Sequence, residues 1–154
     1  MTSIPPSPDA ALAAIAVDDA LPPLRSEITL ASIRAFGEAT LDFNALHFDA
    51  QAAQAEGVAG MGVIAHGMST FALMTRLLTD WLAPRGGVHR RLETRWLRPA
   101  RPGDVLTASA VVSAKHRTSH GRWVEFDLKV HNARDELIAT GEALAQFAPA
   151  PHRH

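Results

Sequence analysis

The segment His66–Leu82, with the sequence HGMSTFALMTRLLTDWL, decides the fold because it combines a helical repeat with the most apolar composition in the chain. Apolar or small residues recur every three or four positions, namely at Met68, Phe71, Ala72, Thr75, Leu78 and Leu82. Met74, Leu77 and Trp81 widen this stripe to most of the circumference. A helix that is apolar on nearly all sides is usually central and covered by other elements. We therefore predict one long central helix over these residues.

After Gly87 the spacing of apolar residues changes from about 3.6 to 2, which indicates strands. The predicted strands are Val88–Leu97, Val105–Ala114, Arg122–His131 and Leu137–Phe147. Short turns such as Pro102-Gly103-Asp104 separate them, which favours antiparallel pairing. The predicted fold class is α+β, with a bent antiparallel β-sheet wrapped around the long central helix.

The residues before the central helix predict shorter elements. Residues 1–24 are rich in proline and alanine, and we expect a loosely ordered arm, with a helix or a strand both open for residues 10–17. A short strand is predicted over Arg25–Leu30. Thr29 can cap a helix over Ala31–Ala39, and Asp49 can cap a short alanine-rich helix.

The expected organisation is a proline- and alanine-rich N-terminal arm (1–24), a single domain (25–148) and a C-terminal tail (149–154). A chain of 154 residues is long enough for one core without disulfides or a structural metal. The formal net charge of −1 gives no basic field for nucleic acid or for an anionic membrane. There is no cysteine, which excludes thiolate metal sites and a cysteine nucleophile. No membrane span or secretory signal is apparent, and we expect a cytoplasmic protein.

Reactive side chains are concentrated between Ala39 and Asp49, where Asp42, Asn44 and His47 lie within six residues. On a regular helix Asp42 and His47 would point about 140° apart, so they converge only if the chain turns between them. Asn44 favours such a turn. A carboxylate and an imidazole that converge on one water suit general acid–base catalysis. The plainer alternative is a helix cap next to a polar surface contact.

Three motifs together resemble the MaoC-like dehydratase family, and in particular its R-specific enoyl-CoA hydratases. Residues 42–49, DFNALHFD, resemble the family motif D-x-N-P-x-H-x-D. Residues 64–68, IAHGM, resemble its second motif, and residues 98–104, RPARPGD, resemble the connection before its next strand. The resemblance spans about residues 28–147. It implies a hotdog fold, in which an antiparallel sheet wraps a long helix, and a homodimer whose two sheets join.

The resemblance implies reversible hydration of a 2-enoyl-CoA, or a related enoyl thioester, to an R-3-hydroxyacyl thioester. One member of the pair Asp42 and His47 would help to remove a proton from water and the other would protonate Cα. The backbone N–H of Gly67 would polarise the thioester carbonyl, since a helix start exposes unpaired N–H groups. His66, Asn44 and Met68 are the predicted substrate-binding residues, although His66 also suits a structural role and Asn44 a loop-fixing one. No metal or redox cofactor is expected, because coenzyme A is part of the substrate.

The sequence departs from the family pattern at three positions. Ala45 replaces the usual proline, Leu41 replaces a small or acidic residue, and Ala72 stands where a supporting serine is common, with Ser69 and Thr70 as substitutes. The missing proline and serine keep open a non-catalytic acyl-thioester-binding protein. A hotdog acyl-CoA thioesterase also stays open, because this fold hosts both reactions and does not decide the function.

The sequence leaves the role of one basic cluster undecided. Arg95, Arg98 and Arg101 could either meet coenzyme A phosphates or form a solvated basic surface. The histidines outside the motifs, including His152 and His154, show no trustworthy metal-ligand spacing.

Overall fold

The computed structural model describes residues 6–57 and 62–147, so the expected C-terminal tail lies outside the described residues. Four α-helices occur along the described chain: α1 (Pro8–Ala13), α2 (Leu30–Thr40), α3 (Ala50–Ala55) and α4 (Gly67–Leu82). Single turns of 3-10 helix follow α2 and α4, at Ala45–His47 and Ala83–Arg85. No helix of the described chain has both the length and the apolar composition needed to cross a membrane.

Five strands form one antiparallel sheet in the order β1-β3-β4-β5-β2. They are β1 (Leu24–Glu27), β2 (Val88–Trp96), β3 (Val105–Thr118), β4 (Gly121–His131) and β5 (Leu137–Phe147). The long strands β2 to β5 correspond to the four predicted from the period of two. The sheet curls around α4, which confirms the predicted α+β architecture with a long central helix.

The core lies between α4 and the concave face of the sheet. On β4 the alternate residues Val124, Phe126, Leu128 and Val130 are all buried. The buried residues of α4 are Thr70, Leu73, Met74, Leu77, Leu78 and Leu82.

The buried face of α4 differs from the predicted stripe, of which only Leu78 and Leu82 are buried. Met68 is half exposed and Ala72 is exposed. The prediction of this face is wrong because a helix that is apolar on most sides offers several candidate stripes. Contacts with the strands of the sheet select one of them.

The N-terminal segment differs from the expected loose arm over its described residues. Helix α1 buries Ala11 and Leu12 in the core, and Ile15 and Leu21 follow it there. Its start is held by Asp9, whose carboxylate accepts from Arg117 (2.6 Å) and Arg122 (2.7 Å). At its other end the Lys115 ammonium donates to the backbone carbonyls of Leu12 and Ile15. Charged partners from β3 and β4 therefore order a segment whose composition alone suggests disorder.

Candidate active site

The loop that carries the reactive residues begins where α2 ends. Thr29 caps the start of α2 as predicted, and its hydroxyl accepts from Ser32 N–H at 2.9 Å. At the other end Leu41 adopts a left-handed conformation with φ 59°, and the next residue, Asp42, donates its N–H to Gly37 O at 3.1 Å. The left-handed residue reverses the chain. Leu41 thus ends the helix, and the chain leaves it at Asp42.

A turn then brings His47 back towards Asp42. The carboxylate of Asp42 accepts from Asn44 N–H at 3.2 Å, and the side-chain oxygen of Asn44 accepts from Leu46 N–H at 3.4 Å. The 3-10 turn Ala45–His47 follows directly. Side-chain to backbone bonds of this type hold turns in place without a proline. The turn is therefore formed even though Ala45 stands where the family usually has proline. The predicted substrate contact of Asn44 stays a prediction.

The imidazole of His47 is oriented by one backbone carbonyl. Its Nδ1 lies 2.9 Å from Ile64 O, and the residue is 7% exposed. Because a carbonyl oxygen only accepts, Nδ1 carries the hydrogen in the neutral ring, and Nε2 presents its lone pair.

Burial lowers the pKa of His47 below the ordinary histidine value, and the neighbouring His66 lowers it further. The hydrogen bond to Ile64 and the charge of Asp42 act in the opposite direction, but burial prevails. The ring is therefore neutral at neutral pH and can accept a proton at Nε2.

His66 connects the two motifs from behind His47. Its Nε2 donates to the backbone oxygen of Asp42 at 3.0 Å, and its ring stacks on His47 with a centroid separation of 3.8 Å. It is 1% exposed, and its Nδ1 has no hydrogen-bond partner within the described part of the protein. The backbone bond is the structural role that the sequence left open, and the predicted contact of His66 with substrate stays a prediction.

Gly37 makes this close packing possible, which the sequence did not reveal. A Cβ at Gly37 would lie 2.6 Å from Cζ of Phe48, 3.0 Å from the backbone oxygen of Asp42 and 3.4 Å from Nε2 of His66. The sequence showed only a glycine that weakens the last turn of a helix. That penalty in helix propensity was the available signal that a close approach is needed there.

Gly67 is the first residue of α4 and lies next to Trp96 at the end of β2. The indole Nε1 of Trp96 donates to Gly67 O at 2.9 Å, and a Cβ at Gly67 would approach the same atom to 3.1 Å. In the described part of the protein, the N–H groups of Gly67 and Met68 have no protein acceptor. Sequence reasoning missed Trp96, for which a tryptophan at the end of an edge strand was the only clue.

The supporting hydroxyl expected near Asp42 is not found among the described residues. Ala72 is exposed, and the hydroxyl of Ser69 donates instead to His66 O at 2.7 Å. Thr70 is buried beside Gly67 and has no bond to the carboxylate. Neither Ser69 nor Thr70 therefore takes over the role of the family serine.

Among the described residues, Asp42, His47 and His66 form a group with the donor types for a metal ion, and their potential ligand atoms lie within 4.8 Å of one another. Its arrangement fits a water held between an acid and a base. The expectation that no metal is needed stays a prediction.

The match to a family model identifies the family. The model for the MaoC like domain matches residues 16–133, so the chain belongs to the MaoC-like dehydratase family. No curated protein sequence matches the chain.

Solved structures agree with this assignment. The (R)-hydratase from A. caviae involved in PHA biosynthesis is 27% identical, with a TM-score of 0.74 over 87% of this chain and 98% of that protein. The R-hydratase PhaJ1 from Pseudomonas aeruginosa is also 27% identical, with a TM-score of 0.75 over 90% of this chain and 84% of that protein. A monoamine oxidase regulatory protein from Archaeoglobus is 25% identical, with a TM-score of 0.78 over 98% of this chain and 99% of that protein. The predicted family and hotdog fold are confirmed, and the relatives support hydration or dehydration as the general class of activity.

Proposed function

We propose that this protein hydrates a 2-enoyl thioester reversibly to an R-3-hydroxyacyl thioester. The observation that carries the proposal is the convergence of Asp42 and His47, from one tight turn, on His66, the residue that precedes α4. The ligand atoms of these three side chains lie within 4.8 Å of one another, and the N–H groups that begin α4 follow His66 directly in the chain.

In the proposed reaction, the water lies between the carboxylate of Asp42 and Nε2 of His47. Asp42 accepts one hydrogen bond from the water and thereby orients it. His47 takes a proton as the water oxygen bonds to Cβ, and Asp42 stabilises the imidazolium that forms. The same proton then passes to Cα, so the pair regains its starting charge. Because both groups act from one side of the double bond, addition is syn.

The thioester carbonyl is the second part of the proposal. Its oxygen accepts from Gly67 N–H, where the helix start is electropositive. This bond stabilises the negative charge that develops on the oxygen when Cβ is attacked, and one such donor is typically worth about 10²- to 10³-fold in rate. A groove of about 290 Å³ runs past Gly67, Thr70 and Trp96 and gives the substrate access to this point.

The test follows the loss of conjugated-thioester absorbance with a short 2-enoyl-CoA. Asp42→Asn and His47→Gln should each lower kcat by about 10²- to 10⁴-fold. Asp49→Asn is the matched control, because this carboxylate lies in the same loop but only caps α3, with 2.7 Å from Oδ1 to Gln51 N. Equal activity of the wild type and both site variants would contradict the assignment.

A non-catalytic acyl-thioester-binding protein is the second candidate. The observation in its favour is that no side-chain hydroxyl of the described residues supports Asp42. Tight binding of acyl-CoA without turnover across a panel of chain lengths would establish this alternative. Release of free thiol without hydration would instead indicate a hotdog thioesterase.

We also propose a homodimer. In the described part of the sheet, β2 pairs with β5 only and leaves its other edge open. A second copy that pairs with β2 would close this edge.

A further inference from the structure

His66 touches both members of the proposed acid–base pair, through two different parts of its ring. At the edge of the ring, Nε2 donates to the backbone oxygen of Asp42 at 3.0 Å. On the face of the ring lies the imidazole of His47, with 3.8 Å between the ring centroids and 26° between the planes. Only 1% of His66 is exposed, so it offers a bound ligand very little surface. Its contacts are therefore with the two reactive residues.

The backbone of His66 is anchored to the rigid part of the fold. The residue directly precedes α4, and its backbone oxygen accepts from the N–H of Ser69 at 2.9 Å and from the hydroxyl of Ser69 at 2.7 Å. The residue before it, Ala65, donates its N–H to Ala100 O at 2.8 Å, which ties it to the connection between β2 and β3. The reactive pair instead belongs to a loop and a single 3-10 turn. His66 thus connects this loop to the central helix and the sheet.

Neighbouring residues fix the orientation of the His66 ring. Phe36 lies against it with 5.1 Å between the ring centroids, and Phe48 lies edge-on at 5.8 Å. A Cβ at Gly37 would come within 3.4 Å of Nε2, so its absence leaves the edge of the ring free to reach Asp42. These contacts hold Nε2 towards the Asp42 carbonyl.

The other ring nitrogen shows that packing alone does not account for a histidine at this place. Because Nε2 donates to Asp42, Nδ1 carries the lone pair of the neutral ring. Nδ1 is buried and has no hydrogen-bond partner in the part of the chain that the structure describes. A buried polar atom without a partner destabilises a fold, and a phenylalanine would fill the same space without one. The bond from Nε2 to Asp42 is the contact that the imidazole supplies and an apolar ring does not.

Asp42 is the residue that depends on this bond. Its carboxylate accepts from Asn44 N–H at 3.2 Å, and no side-chain hydroxyl of the described residues supports it. The backbone therefore sets its direction. The N–H of Asp42 donates to Gly37 O at 3.1 Å, and its backbone oxygen accepts from His66. Without His66, only the end of α2 would hold this peptide.

We propose that His66 is a positioning residue, whose Nε2–H fixes the backbone of Asp42 while its ring face supports the imidazole of His47. The inference rests on the proposed function, because it takes Asp42 and His47 as the acid–base pair. It assigns to His66 the support that the family serine was expected to give, in place of a contact with substrate. Misplacing a catalytic group by about 1 Å typically costs about 10²-fold in rate.

Two amide variants separate the hydrogen bond from the packing. The amide nitrogen of glutamine can take the place of Nε2, whereas that of asparagine reaches only as far as Nδ1. His66→Asn should therefore lower kcat for a short 2-enoyl-CoA by about 10²-fold, with KM nearly unchanged. His66→Gln should recover most of the lost kcat. Leu77→Ala is the control for packing, because Leu77 is buried in the core on the same helix, and its truncation should lower stability without lowering kcat.

Three outcomes would overturn the proposal: wild-type kcat in His66→Asn, an equal loss of kcat in His66→Asn and His66→Gln, or a rise in KM at unchanged kcat. The last result would indicate a contact with substrate. A melting curve for each variant gives the folded fraction to which kcat refers. His66→Phe keeps a ring but has no donor, and it gives the comparison with His66→Gln if His66→Asn does not fold.

Hydrogen exchange tests the positioning without turnover. The N–H groups of Asp42 and His47 donate to Gly37 O and Asn44 O, at 3.1 and 3.0 Å. Both should exchange faster in His66→Asn than in the wild type, and His66→Gln should restore slow exchange. Unchanged exchange in His66→Asn would contradict the inference even if the protein hydrates enoyl-CoA. Faster exchange in a protein without hydratase activity would support the positioning and contradict the proposed function alone.

Discussion

At His47, one hydrogen bond and one stacked ring decide what the imidazole can do. The bond from Nδ1 to Ile64 O places the hydrogen of the neutral ring on Nδ1 and the lone pair on Nε2. Burial and the neighbouring His66 disfavour the charged form of the ring. The neutral ring of His47 can therefore accept a proton. The same lowered pKa should reduce the free energy of unfolding in acid.

The first prediction concerns the pH dependence of stability. The pKa of His47 is lower in the folded protein than in the unfolded chain, so between the two values the unfolded chain binds more protons. The free energy of unfolding should therefore fall as the pH is lowered from the ordinary histidine pKa to the folded pKa. Denaturant titrations at several pH values should show this fall in the wild type and a smaller one in His47→Gln.

An NMR titration of the imidazole provides the direct check. His47 should titrate below the ordinary histidine value, and a midpoint above it would contradict the burial argument. His116→Gln is a suitable comparison for the stability curve, because that side chain is half exposed and pairs with Glu125 at the surface.

A second prediction at the residue scale concerns Gly37→Ala. The added Cβ would need Phe48 to move, since 2.6 Å is too close for two carbon atoms. Alanine gains about 1 kcal/mol in helix propensity, while overpacking costs about 1–3 kcal/mol, so the free energy of unfolding should fall by less than about 2 kcal/mol. The turn that carries Asp42 and His47 should shift, and kcat/KM should fall at least about tenfold.

Glu38→Ala is the control for this change, because its side chain is exposed on the same helix. Wild-type activity in Gly37→Ala, together with unchanged activity in Glu38→Ala, would show that the packing around Phe48 does not position the site.

At the scale of elements, the strands were predictable and the buried face of the central helix was not. Apolar and polar residues alternate along β4 because one side of the sheet packs on α4 and the other side faces water. Helix α4 has no such contrast, and so its sequence does not select one face. Local interactions form both ends of α2, which are the cap at Thr29 and the left-handed turn at Leu41. Only the cap could be predicted from the sequence.

Asp42 and His47 were singled out as the reactive pair mainly through the family motifs, and their roles stay a prediction. The contacts of the site were not predictable, since the partners of His47 and His66 are the backbone carbonyls of Ile64 and Asp42. A backbone atom has no signature in a sequence. Trp96 was missed for the same reason, because it bonds to the carbonyl of Gly67.

Helix α1 provides the prediction at this scale. Leu12 is 4% exposed within the core, so Leu12→Ala should lower the free energy of unfolding by about 2–5 kcal/mol. Val17→Ala is the control, because Val17 is 48% exposed and should change stability by less than about 0.5 kcal/mol. Urea denaturation measures both. A similar small effect in the two variants would show that α1 does not stay packed on the sheet in solution.

At the scale of the whole molecule, the start of α4 lies beside the end of the edge strand β2. Met68 (50%) and Trp96 (47%) are half exposed there, and Trp96 bonds to Gly67. An unpaired strand edge is a ready site for pairing with another chain. The two edges of the sheet differ, because β1 has only four residues whereas β2 has nine.

The last prediction is that two copies associate through β2. Light scattering at micromolar concentration should give twice the mass of the 16.5 kDa chain. Hydrogen exchange should show slow amides along β2 on the side that does not face β5, because a partner strand would protect them. The short edge strand β1 serves as the internal comparison, and its outward amides should exchange quickly. A dimer in which the outward amides of β2 also exchange quickly would place the interface elsewhere, and a monomeric mass would contradict the predicted dimer.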